Sequence, residues 1–160
     1  MSAGSITGLS RLVAASAALC AIAGCVNTNL SGSLLPGVEL HDEMTYYVEK
    51  FDPDGRGLQD VIRDELVALG HPATSGAAGS APEGTDVIVT YEDRWMWDIT
   101  MYLIQLDIQF QDPSTGRVLA TGQSYRTSLA RKSPAEMARE VLRKIFGMPA
   151  EKPPRRKRSR

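Results

Sequence analysis

Ile104-Gln105-Leu106-Asp107-Ile108-Gln109-Phe110 alternates apolar and polar side chains without a break. Successive residues of a strand point to opposite faces, so this segment has one dry face and one wet face. Strands of a doubly covered parallel sheet read instead as continuous apolar runs, and the alternation therefore predicts antiparallel pairing with one sheet face open to water. Upstream, Val87, Val89 and Tyr91 alternate with Asp86, Thr90 and Glu92, although Ile88 breaks the polar side. Downstream, Asp112-Pro113-Ser114-Thr115-Gly116 is a hairpin loop, with proline presetting one dihedral and glycine free to take positive φ. It leads into a third strand within Arg117 to Leu129, which completes a meander.

Helices flank the meander in sequence. Leu58, Val61, Ile62, Leu66 and Leu69 form one apolar stripe at helical spacing, and Gly70 with Pro72 ends that helix. Ser133-Pro134-Ala135-Glu136 carries the N-cap serine, N1 proline and N3 glutamate of a capping box. Behind it Met137, Ala138, Val141, Leu142, Ile145 and Phe146 make a second stripe, closed by Gly147 and Pro149. β-Formers in Thr45 to Phe51, before the turn Asp52-Pro53-Asp54-Gly55, predict a first strand. The order is then β-α-β-β-β-α. Two one-sided helices and a sheet wet on one face bury their apolar surfaces together if both helices cover the same face, so the predicted fold is an α+β two-layer sandwich with a mainly antiparallel sheet. Val26 to Asp42 sustains no period and reads as a tether, and the Ala, Gly and Ser-rich stretch from Ala73 to Gly84 reads as a flexible surface loop. The domain is expected over residues 44–148.

Charge is unevenly placed. Residues 26–150 hold 11 Lys and Arg against 18 Asp and Glu, whereas residues 151–160 hold 6 basic residues against 1 acidic. An acidic body offers no electrostatic footprint for nucleic acid, and no nucleic-acid partner is expected.

At the N-terminus, Arg11 precedes an apolar run from Leu12 to Ile22 that has signal-peptide length and is too short for a permanent membrane span, which needs about twenty residues. Ile22-Ala23-Gly24-Cys25 resembles the lipobox of bacterial lipoproteins. That resemblance implies removal of residues 1–24, diacylglycerol on the Cys25 thiol and a further acyl chain on its amino group, which together anchor stably. The residue after the cysteine is Val26, which does not resemble the aspartate of inner-membrane retention signals. The implied location is the outer membrane, facing the periplasm. Residues 25–43 would then be the lipidated cysteine and its tether. Cys20 leaves with the signal and Cys25 is acylated, so no disulfide, redox pair or zinc site is expected. His41 and His71 each lack a second histidine at ligand spacing, and neither a metal nor a non-covalent cofactor is expected.

Asp52-Pro53, Thr85-Asp86-Val87-Ile88-Val89, Leu106-Asp107-Ile108, Asp112 to Arg117 and the helix from Ser133 to Phe146 together resemble the small Gram-negative envelope lipoproteins that carry domains of unknown function. The element order is also similar to the lipopolysaccharide-assembly lipoproteins of the LptE type, although Val26 to Leu35 lacks the aromatic and arginine pattern that those proteins would show after the cysteine. The first resemblance implies an envelope interaction or scaffold module with a protein partner; the second implies a carrier or assembly factor for a lipid or lipopolysaccharide-type ligand.

Few residues invite chemistry. Trp95, Met96 and Trp97 stand where the second and third strands must connect, with no glycine, proline or asparagine to make an ordinary tight turn. On one expectation Trp95 and Trp97 share a strand face and pack on a helix; on the other they project as an amphipathic tip suited to an interface or a headgroup layer. Glu92, Asp93 and Asp98 flank them, and with Arg94 among them they read as a charged hairpin surface rather than an acid–base pair. Asp52-Pro53-Asp54-Gly55 begins like a calcium loop, lacks the later ligands of that motif, and reads as the turn that starts the helix. No catalytic residue is assigned, and no enzymatic activity is expected. Residues 149–160 are expected to form a disordered basic tail. Its Arg155, Arg156, Lys157, Arg158 and Arg160 could alternatively meet lipid phosphates, each contributing about 1 kcal/mol close to such a surface.

Overall fold

The computed structural model describes residues 27–151, so the signal segment, Cys25 and the basic tail lie outside the described residues. The chain forms β1 (Thr28–Leu34), β2 (Tyr46–Glu49), α1 (Leu58–Ala68), β3 (Ala73–Gly76), β4 (Val87–Asp98), β5 (Thr100–Gln111), β6 (Val118–Arg126) and α2 (Pro134–Ile145). A short 3-10 turn, Ser128–Ala130, precedes α2. The strands make one six-stranded sheet in the order β1-β6-β5-β4-β2-β3.

β4, β5 and β6 are the expected antiparallel meander. In β5, Ile104, Leu106, Ile108 and Phe110 are buried while Gln105, Asp107 and Gln109 are half-buried on the opposite face, as their alternation requires. α2 carries the expected capping box: Ser133 Oγ accepts from the Glu136 amide at 3.3 Å, and Glu136 Oε2 accepts from the Ser133 amide at 2.9 Å. Both helices supply one core with the sheet. Leu58, Ile62 and Leu66 of α1 and Met137, Ala138, Val141, Leu142 and Ile145 of α2 pack with Val48, Val87, Val89, Leu106, Ile108 and Phe110. The fold is thus the α+β architecture that the patterning predicts.

Two segments differ from the sequence reading. Thr28–Leu34, read as tether, is an edge strand paired antiparallel with β6, from Thr28 opposite Arg126 to Leu34 opposite Ala120. Its alternate residues Leu30 and Leu34 pack against the core, so a weak period of two is present after all. Ala73–Gly76, read as the start of a loop, is a strand parallel to β2. β2 is also parallel to β4, which makes β2-α1-β3 a parallel crossover unit at one end of an otherwise antiparallel sheet. The rest of that loop is tied back over β2, because Tyr47 Oη donates to the Ala77 carbonyl at 2.9 Å and the Gly79 amide donates to Glu49 Oε1 at 2.9 Å.

His71, read simply as a residue following α1, is 6% exposed and stacks on Phe146 with ring centroids 4.0 Å apart, edge-on to Tyr46. Among the described residues neither ring nitrogen has a partner. Burial pushes the imidazole pKa below its ordinary value, with the Asp42 carboxylate opposing. The unfolded chain therefore takes up the proton first. Stability is complete above the unfolded value of about 6.5 and falls as the pH drops through it toward the folded value. His71→Phe keeps the stack and removes two unpaired buried nitrogens. The drop in melting temperature between about pH 7.5 and pH 5.5 should shrink in this variant. An unchanged drop would assign it to other groups.

Candidate functional site

Both helices lie on one side of the sheet, and among the described residues the other side of β1, β6, β5 and β4 carries no helix. Its side chains are mostly polar, with Ile88 of β4 and the neighbouring Phe51 as apolar exceptions. Ser31, Thr90, Glu92, Asp107, Gln109, Thr121 and Gln123 line a concavity of ≈ 550 Å³. Asp107 organises the centre, accepting from Gln105 Nε2 on one carboxylate oxygen and from Gln123 Nε2 on the other, both at 2.6 Å. Gln111 Nε2 donates to Gln109 Oε1 at 2.7 Å. Glu92 stands directly opposite Asp107, placing two carboxylates side by side. Like charges opposed across a ladder disfavour pairing, and the amides on Asp107 offset part of that repulsion. The sequence predicts a wet face in this region. The Glu92–Asp107 juxtaposition depends on the pairing register of strands whose relevant residues lie fifteen positions apart, and no local signal announces it.

A second concavity, of ≈ 640 Å³, lies beside α2 and is lined by Lys132, Glu136, Arg139, Glu140, Arg143 and Lys144 among others. Its charges are largely satisfied within the fold. Glu140 pairs with Arg126 and Lys132, and Arg139 makes a two-pronged bridge to Glu65 of α1 at 2.7 and 3.0 Å. That bridge holds the two helices together through a 7% exposed carboxylate.

The third feature is the β4–β5 hairpin. Asp98 pairs with Thr100, and Ile99 alone makes the apex at φ 58°, a left-handed conformation that is unusual for a β-branched residue. The absence of turn residues in the sequence is thus matched by a strained apex. The two tryptophans part company. Trp95 follows an irregularity at Arg94/Trp95, is half-buried against the core, lies 4.4 Å beneath the Arg56 guanidinium and donates from Nε1 to Asp93. Trp97 is 68% exposed, and Met96, Ile99 and Met101 are exposed with it. The expectation that both rings pack on a helix therefore fails for Trp97, because the hairpin runs past the end of the helical layer.

The flanking carboxylates do not gather. Glu92 faces the bare side of the sheet, Asp93 accepts from Trp95, and Asp98 pairs with Arg131 at 3.0 Å. Arg131 also donates to Thr100 Oγ1 at 2.8 Å and lies 4.1 Å over the Tyr102 ring, which fastens the hairpin to the segment leading into α2. Asp54 starts α1, as the turn reading requires: it accepts from the Arg56 and Leu58 amides, both at 2.6 Å, and from Tyr91 Oη at 2.7 Å. Among the described residues no group of three or more His, Cys, Asp or Glu could hold a metal ion, and no helix is long and apolar enough to cross a membrane.

No protein-family model matches the chain, and no curated protein matches it. Among solved structures, the chain is similar to the PelC dodecamer of Paraburkholderia phytofirmans. A variant of that protein superposes with a TM-score of 0.54 at 15% identity, covering 75% of this chain and 96% of that one. PelC in a second crystal form gives 0.51 at 13% identity over 75% and 95% of the two chains. TolB from Acinetobacter baumannii gives 0.44 at 15% identity, over 76% of this chain and 32% of TolB. At these identities the PelC likeness shows a shared fold.

Proposed function

We propose that this protein is a lipid-anchored component of the cell envelope, held by acyl chains on Cys25 at the outer membrane, and that it works as a non-enzymatic interaction module. The observation that carries the reading is the one-sided architecture: the helices cover one face of the sheet, and the other presents a shallow, hydrogen-bonding surface centred on Asp107 and Gln109. A polar face of this kind suits a protein partner that supplies donors and tolerates bridging water. The filled space between helices and sheet supports a module over an acyl-chain carrier, since Tyr46, Ile62, Leu106, Phe110, Met137 and Leu142 are each at most 1% exposed there. PelC assembles as a dodecamer, and a second copy of this chain is accordingly one partner to look for, beside a different envelope protein.

A photoactivatable crosslinking residue at Gln109 or Thr121, in intact cells of the bacterium that makes the chain, tests the module. Adducts are expected from these positions and not from Val67 on the outer side of α1; adduct mass separates a second copy from another protein. Uncrosslinked monomer alone from both sheet positions, at normal expression, would sink the reading. Mass analysis of the purified intact protein tests the anchor independently.

A further inference from the structure

We propose that the tip of the β4–β5 hairpin is a second membrane contact, seated in the headgroup layer of the bilayer that holds the acyl chains of Cys25; the orientation rests on the lipid-anchor reading above. Register places the tip and the start of β1, which follows Cys25 by three residues in the sequence, at one pole of the described domain. Thr28 begins β1 opposite Arg126, and Tyr125, one residue earlier, pairs with Gln105. The start of β1 is thus level with Ile104, and the hairpin runs on for five more residues, from Ile104 to Ile99, in the direction from which the anchor arrives. Because Ile104 is skipped in the pairing at the Arg94/Trp95 irregularity, the overhang is roughly four strand rises, about 14 Å. With a twist of roughly 20–25° per strand over two strand steps, the overhang along β1 is about 10 Å. From Cys25 to Thr28 there are only three residues, which span at most about 11 Å even fully extended. A link that short is about as long as the overhang, so anchoring through Cys25 favours an orientation in which the tip reaches the bilayer surface.

The chemistry of the tip matches that position. Of the exposed large apolar side chains among the described residues, Met96, Trp97, Ile99, Met101 and Leu129 are at this end, with Ile99 89% and Leu129 80% exposed. Trp97 and Met101 share one face of the tip, Ile99 forms the apex, and Met96 lies on the other face beside Asp98, Thr100 and the Arg131 that binds them. Tryptophan, with an apolar ring and a polar N–H, is suited to that zone. The one carboxylate at the tip, Asp98, is paired with Arg131 at 3.0 Å, which lowers the cost of bringing it near lipid. Arg131 also braces the hairpin through Thr100 and Tyr102, so the contact is presented by a fastened arm.

The test uses the acylated full-length mature protein in phosphatidylethanolamine–phosphatidylglycerol vesicles, carrying a fluorophore on Ile99→Cys, or on Met101→Cys as a second position, with Gln111→Cys at the far end of β5 as reference. Nitroxide-labelled lipids should quench the probe at 99 and at 101 several-fold more than the probe at 111, and aqueous iodide should show the reverse order. Equal lipid quenching at the tip and at 111 overturns the contact. Protection from iodide without lipid quenching assigns the tip to a second copy and overturns it equally. Mass analysis of the Cys25 peptide from the same preparation keeps the two readings apart: an unacylated Cys25 removes the anchor and this orientation with it, whereas an acylated Cys25 with an unquenched tip removes only the contact.

Discussion

Gly122→Val is expected to destabilise the domain by about 3 kcal/mol, at the upper part of the range for overpacking a dense core, and to lower its melting temperature by roughly 10 °C for a domain of this size. Gly122 of β6 stands opposite Gly32 of β1, and α2 crosses close above both. A Cβ at Gly122 would lie 2.6 Å from Val141 Cγ1 and 3.1 Å from Ile145 Cγ1; at Gly32 it would lie 2.6 Å from Lys144 Cβ and 2.8 Å from the Ile145 amide nitrogen. The obstacles differ in kind. Side-chain ends oppose Gly122, so Val141→Ala should recover part of the loss caused by Gly122→Ala, a coupling that a double-mutant cycle measures. At Gly32 the helix backbone itself is in the way, and truncating Val141 should bring no relief. A Gly122→Val protein within about 0.5 kcal/mol of wild type in urea denaturation, the scatter of ordinary surface changes, would mean that α2 is not packed so tightly on this strand pair.

Asp54→Ala comes next, with an expected loss of about 3 kcal/mol from orphaning several donors at once. Asp54 is 3% exposed and joins three parts of the fold: the turn after β2, the start of α1 and β4 through Tyr91. Burial pushes its carboxyl pKa up, but the hydrogen bonds from Tyr91 Oη and from the Arg56, Leu58 and Gly57 amides together outweigh burial and hold it below the ordinary value. Because the folded value is the lower one, the ionised group stabilises fully above the unfolded value of about 4, and that contribution is lost as the pH falls through the folded value. Asp54→Asn should therefore be destabilised at neutral pH and show a flatter acid limb, while Tyr91→Phe, which leaves both amide bonds in place, should cost only about 1 kcal/mol. Urea midpoints at about pH 7 and pH 3 decide it: an acid limb in Asp54→Asn as steep as in wild type would place the titration elsewhere.

Both glycines also explain what the sequence concealed. In Thr28–Leu34, the alternate residues Leu30, Gly32 and Leu34 face α2, and the middle position of an otherwise ordinary apolar row is glycine because the helix leaves no room for a side chain. The period of two is thereby reduced to two leucines, too few to separate a strand from a tether. Ala73–Gly76 is short and made of small residues, and it pairs with β2 beside Tyr47, whose hydroxyl comes within 2.5 Å of a Cβ built at Gly76. By contrast, β5 and the two helices were legible because each meets the core along one complete face. The candidate surfaces divide in the same way. That Trp95-Met96-Trp97 sits on a connection without turn residues could be read locally; that Trp95 settles on the core while Trp97 stands clear could not.

Local patterning suffices for the α+β class, the two helices with the capping box of α2, the meander with its wet face, and the cysteine that the lipobox resemblance would lipidate. Each depends on residues within a turn or two of one another, where helical period, strand alternation and capping act directly. Only the tertiary structure decided that the supposed tether is an edge strand, that Glu92 and Asp107 lie side by side, and that the hairpin tip leaves the sheet at the end where the N-terminal strand begins. These are consequences of register between distant strands. Register is selected by the summed burial of the whole core, and no single segment carries that sum.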